Sequence, residues 1–320
     1  MSGIFLGVDT SNYTTSLALC SGGKIIKSIR KLLPVKEGER GLRQSDAVFL
    51  HTKALPELAK ELFADTLYST SSLCSVGVSS SPRDAEGSYM PCFLAGVSFA
   101  SAVSYSHQIP LYSFSHQAGH IKAGIYSCGN PDVENSKFVS FHISGGTTEA
   151  ILVTPSESSY KCEIIGGTND TSAGQIIDRA GVYSGIGFPC GKELDKLANH
   201  SNKNLGKSVS IKGTYFSLSG LQNKYESYIQ SGESISNAAR FIFESIACCI
   251  EKCTYNIREQ YGNLPVLYAG GVMSNSIIRK KLSSINNVFF ASPEHSCDNA
   301  CGTALLCEKK YISDTLPEDI

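Results

Sequence analysis

The sequence predicts an α/β protein built from two similar halves, and three observations support this prediction. Strand-like and helix-like apolar patterns alternate along the chain, which is typical of sheets covered by helices. A strand, a turn of small residues and a second strand occur at Ile4–Leu19 and again at Phe138–Val153. The chain has 320 residues, 42% of them hydrophobic, and can therefore bury two cores. We expect one lobe over 1–130 and a second over 131–320, separated by a cleft, with a last helix that can pack back on the first lobe.

The first half begins with the hairpin Ile4–Leu19. A helix over 45–65 follows, because apolar residues recur there at helical spacing. The apolar segment Ser75–Ser81 is then predicted to be a strand, and Cys92–Ser106 a helix.

The second half repeats this order from the hairpin Phe138–Val153. Helices are predicted around Ser172–Gly181 and Lys192–His200, and a long helix from Ser234 to Gln260. After it we expect, in chain order, the strand Pro265–Gly271, a helix beginning after Asn275, the strand Asn287–Ala291 and a final helix. The segment Ser127–Lys137 is rich in turn formers and is expected to be the least structured stretch, near the lobe boundary.

Composition limits the partners that the whole chain can attract. The formal net charge is -1, from 28 basic and 29 acidic residues, so no general positive field exists to hold a polyanion. A nucleic-acid substrate would need a local patch or a partner protein. We find no leader pattern and no apolar segment of membrane-spanning length, and we expect a cytoplasmic protein without membrane contact. The 12 cysteines lack zinc-ribbon spacing and are expected to be reduced, mostly buried thiols.

Three turns rich in small residues are candidate anion sites. They are Asp9–Ser16, Ser144–Thr148 and Ala269–Asn275. Small residues let a phosphate approach consecutive backbone N–H groups, and the third turn also opens a predicted helix, whose N-terminus favours negative charge. One such turn alone would be weak evidence for a phosphate site, but three such turns in a duplicated α/β chain indicate nucleotide binding.

Two histidines four residues apart, His116 and His120, form a candidate metal site. Residues at this spacing share a helix face, so both imidazoles can reach one ion, although two unrelated polar side chains would show the same spacing. A zinc protease needs Glu after the first histidine, and this chain has Gln117 there. Asp298 is a candidate third ligand or a helix N-cap, and His142 a further ligand or a core histidine.

Acidic residues among small residues form a candidate nucleoside site. The stretch Gly166–Ala198 contains Asp170, Asp178 and Asp195. Such acids are usually solvated, but Asp178 lies in an otherwise apolar helical segment. Acids in nucleotide-binding folds often accept ribose hydroxyls, which makes Asp178 a candidate for that role.

The order of these motifs resembles one family. The stretches on which the resemblance rests are, in order along the chain, GVDTS, SHQAGH, HISGGTTE, GGTNDTSAGQIIDRAG, GFPCGKELDKLA, YFSLSGLQ, AGGVMSNSIIR and CDNACG. The chain resembles the TsaD family of tRNA threonylcarbamoyladenosine synthases, whose fold is that of actin, Hsp70 and the sugar kinases (ASKHA). The resemblance implies transfer of a threonylcarbamoyl group from threonylcarbamoyl-AMP to the exocyclic amine of the adenosine beside the tRNA anticodon.

The resemblance also implies a site. The metal ligands would be His116, His120 and Asp298, with His142 as a plausible fourth, around one iron or zinc ion. The phosphate and acyl region would lie on His142, Ile143, Ser144, Gly145 and Gly146, and the nucleoside would contact Asp178, Gly191, Asp195 and Asn275. Asp9 and Ser144 would be catalytic. The implied ligands are AMP, ATP or an acyl-adenylate, with tRNA recruited through helper proteins and a paralogue as a possible heterodimer partner.

Three departures from the family pattern leave other functions open. Ala118 stands where family members usually have Glu, and Thr147 stands where they usually have His. The segment Asp9–Thr15 keeps only the first of the three acids usual there. These changes also fit a related transferase that uses a carbamoyl-adenylate on a different acceptor, or a non-catalytic nucleotide-binding partner of a true synthase.

Overall fold

Two mixed β-sheets organise the chain in the computed structural model, which describes residues 3–11, 13–34, 42–64, 72–201, 203–294 and 300–315. The strands are β1 Ile4–Asp9, β2 Thr14–Ser21, β3 Lys24–Leu32, β4 Leu73–Ser81, β5 Leu111–Ser115, β6 Phe138–Ile143, β7 Thr148–Pro155, β8 Tyr160–Thr168, β9 Ser210–Lys212, β10 Tyr215–Ser217, β11 Val266–Ala269 and β12 Val288–Phe290. The helices are α1 Gln44–Leu62, α2 Phe93–His107, α3 His116–Cys128, α4 Ala173–Tyr183, α5 Gly191–Asn199, α6 Ser219–Gln230, α7 Ile235–Tyr261, α8 Ser276–Leu282 and α9 Cys301–Thr315.

The chain divides into two compact units. Unit 1 comprises residues 1–129, 155–161 and 297–320, and unit 2 comprises 130–154 and 162–296. Within the described ranges, every helix is too short or too polar to cross a lipid bilayer.

Unit 1 contains a five-stranded sheet in the order β3-β2-β1-β4-β5. β1 pairs antiparallel with β2 and parallel with β4, so the first hairpin begins a sheet that continues with parallel strands. Leu6 and Val8 of β1 are fully buried in a core shared with α1 and β4. Glycine at Gly7 and Gly77 lets α9 lie directly on the sheet, because a Cβ at either position would overlap α9.

Unit 2 contains most of a seven-stranded sheet in the order β12-β11-β6-β7-β8-β10-β9. The second hairpin, β6 and β7, is antiparallel, whereas β6, β11 and β12 run parallel. The amphipathic helix α7 buries Phe241, Ile246 and Ile250 against this sheet and its covering helices.

Both predicted hairpins and the long helix are confirmed, but each half has a third strand that the pattern did not reveal. β3 has four cationic residues, and its side chains are mostly exposed or half-buried, so apolar alternation is weak there. β8 likewise mixes charged and apolar residues and has two glycines before its last residue, Thr168. The segment Ser127–Lys137 is more ordered than expected, since it contains a 3-10 helix at Pro131–Asn135. Asp65, at the predicted end of the first helix, lies outside the described residues.

Candidate functional site

The histidine pair lies at the start of α3 in unit 1. The Ser115 hydroxyl oxygen caps this helix by accepting a hydrogen bond from the Ala118 N–H (3.1 Å), and it donates its own proton to Asp84 Oδ2 (2.9 Å). His116 and His120 occupy one face, with ring centroids 4.2 Å apart and ring planes at 70°. The predicted helical pairing of the two imidazoles is therefore confirmed.

Beside the histidine pair, α3 packs tightly against α9. A Cβ on Gly302 would overlap the Gly119 carbonyl oxygen, so the two helices can approach this closely only with glycine at that position. Ala118 is fully buried, at the position where the family usually has Glu. The small residues between the two histidines thus pack α3 against its own unit.

Asp9 is the buried partner of His116. Its Oδ2 lies 2.8 Å from His116 Nδ1 and accepts from the Ser79 hydroxyl (2.6 Å), while Oδ1 accepts from the Ser11 N–H (2.8 Å) and hydroxyl (2.5 Å). Burial opposes ionisation, but the charge of His116 and hydrogen bonds from His116, Ser11 and Ser79 outweigh it and hold the Asp9 pKa below its usual range. An ionised Asp9 accepts from the Nδ1–H, so when the His116 ring is neutral its lone pair lies on Nε2.

This arrangement fits a metal site. A histidine that ligates a metal almost always donates its other ring N–H to a carboxylate or carbonyl, as His116 does to Asp9. Among the described residues, no group of three or more His, Cys, Asp or Glu side chains is close enough to hold an ion. The predicted third ligand, Asp298, lies outside those residues. The other candidate, His142, lies in β6 of unit 2, paired with Glu149 of β7, and its role stays a prediction.

The Ser144–Thr148 turn in unit 2 is held by its own serine. Ser144 Oγ accepts from the N–H groups of Gly146 (3.3 Å) and Thr147 (3.1 Å), and the Ser144 N–H donates to the Thr147 carbonyl oxygen (2.8 Å). These bonds use the N–H groups of Ser144, Gly146 and Thr147 within the turn itself. The hydrogen bonds among described residues do not engage the N–H of Gly145.

The N-terminus of α4 closes on this turn. The Gly174 N–H donates to the Ser144 carbonyl oxygen (3.2 Å), and the Ser172 hydroxyl donates to the Gly145 carbonyl oxygen (2.7 Å). A Cβ on Gly174 would lie 2.5 Å from Gly145 Cα and 2.6 Å from the Ser144 oxygen. Glycine is therefore required at 174 for the turn and the helix N-terminus to be adjacent.

A second glycine allows the backbone to approach the end of β6 closely. Gly270 has a φ of 101°, and a Cβ there would overlap the Ile143 carbonyl. The turn after β11 therefore lies against the end of β6. The anion-binding turns predicted at Ser144–Thr148 and Ala269–Asn275 are neighbours in unit 2.

Asp178 of α4 faces the start of α5. Its Oδ1 accepts a hydrogen bond from the Cys190 N–H (2.9 Å), next to Gly191. Burial raises the pKa of the Asp178 carboxyl, and the bond from Cys190 offsets this only in part. A half-buried acid with a raised pKa is a common property of functional sites.

Asp195 and Asn275 join α5 to α8. Asn275 donates from Nδ2 to Asp195 Oδ1 (2.8 Å), and its own Oδ1 accepts from the N–H groups of Ile277 (3.1 Å) and Ile278 (3.0 Å). Asp195 also accepts from the Ser276 N–H (3.1 Å) and hydroxyl (2.9 Å). Both side chains therefore cap α8 as well as facing the cavity described next.

A cavity of about 550 Å³ in unit 2 collects these residues. Its lining includes the sequence-predicted Gly145, Asp178, Gly191, Asp195 and Asn275. This volume is within the range typical of small-ligand sites, roughly 300–1,000 Å³. Among described residues, the lining does not include His142, Ile143, Ser144 or Gly146, which lie in β6 and the adjoining turn.

Sequence reasoning missed part of the lining. Ile177, Val272 and Phe243 supply apolar surface, Phe188 stands at the rim with 76% of its surface exposed, and Lys192 is the cation among the lining residues. Lys192 and Phe188 lie within the motif GFPCGKELDKLA, so the signal was present. Nothing in the sequence indicated that these side chains border a cavity.

Asp170 has a structural role instead. It accepts hydrogen bonds from the N–H groups of Leu218 (2.9 Å), Ser219 (3.2 Å) and Thr171 (2.6 Å), and from the Ser219 (2.7 Å) and Thr168 (2.9 Å) hydroxyls. Burial opposes ionisation, but these bonds outweigh it and hold the Asp170 pKa well below its usual range. Asp170 fixes the start of α6.

Comparison with known proteins gives the same fold and a family. The (R)-2-hydroxyglutaryl-CoA dehydratase component A of Acidaminococcus fermentans superposes with a TM-score of 0.58 at 16% identity, over 97% of this chain and 99% of that one. The ROK hexokinase of Thermus thermophilus superposes with a TM-score of 0.53 at 12% identity, over 96% and 98%. The predicted ASKHA fold is confirmed.

Sequence relatives agree with this fold. The tRNA N6-adenosine threonylcarbamoyltransferase of Riemerella anatipestifer is 25% identical over 96% of this chain and 93% of its own length. The model of the TsaD family, described as tRNA N6-adenosine threonylcarbamoyltransferase, matches residues 36–304. With the turns, the histidine pair and the cavity in place, this match shows that the chain belongs to the TsaD family of acyltransferases.

Proposed function

We propose that this chain transfers a threonylcarbamoyl group from threonylcarbamoyl-AMP to the exocyclic amine of the adenosine beside the tRNA anticodon. The main support is the cavity of unit 2, whose lining combines Gly145, Asp178, Gly191 and Asn275, four residues that the family resemblance assigns to the nucleotide. AMP, ATP or an acyl-adenylate is the proposed ligand of this cavity.

The residues around the cavity suggest how the nucleotide is held. Asp178 accepts hydrogen bonds from the ribose hydroxyls, and Ile177 and Val272 contact the base. The Gly145 N–H donates to the phosphate, which can approach because neither Gly145 nor Gly174 carries a side chain. Lys192 supplies the positive charge that an anionic ligand requires.

The transfer needs orientation more than covalent help from the protein. The amine nitrogen forms a bond to the carbamoyl carbon, the bond from that carbon to the phosphate oxygen breaks with its electron pair leaving on AMP, and the amine loses one proton. Because an adenine amine is a poor nucleophile, holding both reactants in place supplies much of the rate. Ser144 acts by shaping the turn beside the departing phosphate.

His116, His120 and Asp298 are the proposed ligands of one iron or zinc ion. When bound, the ion supplies Lewis acidity that stabilises negative charge on the carbamoyl or phosphate oxygens. Asp9 is a positioning residue in this proposal: its carboxylate holds His116 Nδ1–H and so directs Nε2 of the ring.

A second candidate is transfer of a carbamoyl group from an adenylate to a different acceptor. Its support is Ala118, which is fully buried where the family usually has an acid. Both candidates require the nucleotide cavity, and only the first requires tRNA. For tRNA transfer we propose a cytoplasmic site of action and helper proteins, including a paralogue as heterodimer partner.

Reconstitution tests the first candidate directly. The purified chain, helper proteins from the same source, threonylcarbamoyl-AMP and an unmodified tRNA transcript are combined, and the digested tRNA is assayed by mass spectrometry for threonylcarbamoyladenosine. We expect the modified nucleoside with the wild type and at least tenfold less with Asp178→Asn. Glu259→Gln, which removes an exposed carboxylate of α7, serves as the control and should be fully active. AMP binding without any modified nucleoside would favour the second candidate.

Metal content tests the ligand assignment without relying on activity. Elemental analysis of the protein as purified should give about one iron or zinc per chain, and the double variant His116→Ala/His120→Ala should lose it. The control is His107→Ala/His200→Ala, which removes two exposed histidines and should retain the metal. Equal metal content in both double variants would reject the assignment. A wild type without metal would favour a non-catalytic partner.

A further inference from the structure

A lysine-rich segment in unit 2 is unused by the proposed reaction. From Lys196 to Lys224 the sequence contains five lysines and no Asp or Glu, in a chain whose net charge is -1. A charge run is often only a solvated face. The folded arrangement decides whether these lysines form a single surface.

The structure holds this segment against α6 and α7. The Lys224 ammonium donates to Ser208 Oγ (2.9 Å), which places α6 beside the loop before β9. The Tyr228 hydroxyl donates to the Leu205 carbonyl oxygen (3.3 Å), and Asn256 Nδ2 donates to the Gly213 carbonyl oxygen (2.5 Å). The loop and the hairpin β9–β10 are therefore fixed on the helices.

Four lysines are exposed on this surface, which we call the basic face: Lys203, Lys207, Lys212 and Lys224. Lys203 pairs with Glu233, whereas no ion pair within the described part of the chain involves Lys207 or Lys212. β9, which carries Lys212, is the edge strand of its sheet.

Three acids on the chain beside the basic face, Glu226, Glu233 and Glu244, each have a partner of their own. Glu233 is engaged by Lys203. Glu226, on the same helix as Lys224, instead accepts from Gln222 (2.8 Å) on another face of α6. Tyr215 of the β9–β10 hairpin, 38% exposed, adds an aromatic side chain to the lysines. Exposed lysines without acidic partners, beside an aromatic ring, are the groups that contact nucleic-acid phosphates and bases.

The basic face is also well placed relative to the cavity. The loop that begins it follows α5, and the first residues of α5, Gly191 and Lys192, line the cavity. Asp195 of the same helix also lines the cavity, and at a rise of about 1.5 Å per residue the end of α5 at Asn199 lies about 6 Å beyond it.

We propose that the basic face binds the phosphate backbone of the substrate RNA directly, independently of any helper protein. The proposal deepens the function argued above and rests on it for the choice of tRNA as the ligand. Lys207 and Lys212 make the phosphate contacts, because they carry no competing ion pair.

The test is the salt dependence of tRNA binding by the full chain alone. Fluorescence anisotropy with an unmodified tRNA transcript gives the dissociation constant from 50 to 200 mM salt. Each phosphate contact contributes about 0.7–0.9 to the slope of log K against log salt concentration. Lys207→Gln/Lys212→Gln should therefore lower the slope by about 1.5 and weaken binding roughly tenfold or more at 100 mM salt.

The matched control is Lys24→Gln/Lys60→Gln, which removes two exposed lysines of unit 1 and should leave the slope unchanged. AMP affinity and circular dichroism of both variants should equal the wild type, which excludes misfolding as the cause. An unchanged slope in the Lys207/Lys212 variant, or no tRNA binding by the wild type at 50 mM salt, would overturn the proposal. Salt-dependent binding lost in that variant, together with no transfer in reconstitution, would uphold the basic face and reject the transferase function.

Discussion

Replacing Gly174 by alanine tests whether the contact between α4 and the Ser144–Thr148 turn builds the nucleotide site. In a helix, alanine is favoured over glycine by up to about 1 kcal/mol, so propensity alone predicts a more stable protein. The structure predicts the opposite, because the new Cβ would lie 2.5 Å from Gly145 Cα, where 3.4 Å is ordinary contact. The turn must move by about 0.9 Å, and overpacking of this kind costs about 1–3 kcal/mol. We expect a net loss of stability of up to about 2 kcal/mol.

Function should be more sensitive than stability to this change. A misplacement of about 1 Å at a reacting centre can lower the rate about 100-fold, and we expect a loss of that order in transfer, with AMP affinity at least tenfold weaker. Calorimetric titration with AMP and thermal unfolding are the assays. Gly220→Ala is the control, because Gly220 is also the second residue of its helix and a Cβ added there would have open space around it. If Gly174→Ala raised the melting temperature like Gly220→Ala and left AMP affinity within twofold, the reasoning would be refuted.

Three further substitutions test the charges of unit 2. Asp178→Asn keeps the acceptor for the Cys190 N–H and removes a charge that burial disfavours, so it should melt higher at pH 7 and bind AMP about tenfold more weakly. Because burial raises the Asp178 pKa, this gain in melting temperature should vanish as the pH falls below 3.8, the ordinary pKa of an aspartate. Equal melting temperatures of the variant and the wild type at pH 7 would contradict this prediction. Asp170→Asn should lower the free energy of unfolding at pH 7 by about 1–2 kcal/mol. This is near the low end of what hydrogen bonds to a charged group contribute, because the Asp170 carboxyl is exposed to solvent. Since the Asp170 pKa is lowered, the difference in unfolding free energy between wild type and variant should shrink as the pH falls below 3.8. Denaturant unfolding at a series of pH values measures this difference, and a difference that does not change with pH would contradict the prediction. Lys192→Ala should weaken AMP binding about fivefold but leave the affinity for adenosine unchanged. The control is Lys196→Ala, which removes an ammonium that pairs with a carboxylate on the same helix and should change neither affinity. Equal losses of affinity for AMP and adenosine would show that the charge of Lys192 is not used.

Local patterns were sufficient for most of the elements. The hairpins, α7 and the start of α8 follow from apolar periodicity and capping residues that neighbours along the chain supply. The third strand of each half was not predictable in this way, because β3 and β8 are stabilised by pairing with a neighbouring strand and show no regular alternation of apolar and polar residues.

The sequence by itself determined the fold class, the family, the helical pairing of His116 and His120 and the three turns of small residues. Each of these depends on residue types at fixed short spacing, or on their order along the chain. Only the tertiary structure decided that Asp9 holds His116 across 107 positions, that Gly174 lies under the Ser144–Thr148 turn, and that Lys192 borders the cavity. Such contacts join elements far apart in the chain, and their distances are set by how glycines and buried side chains let helices and sheets approach.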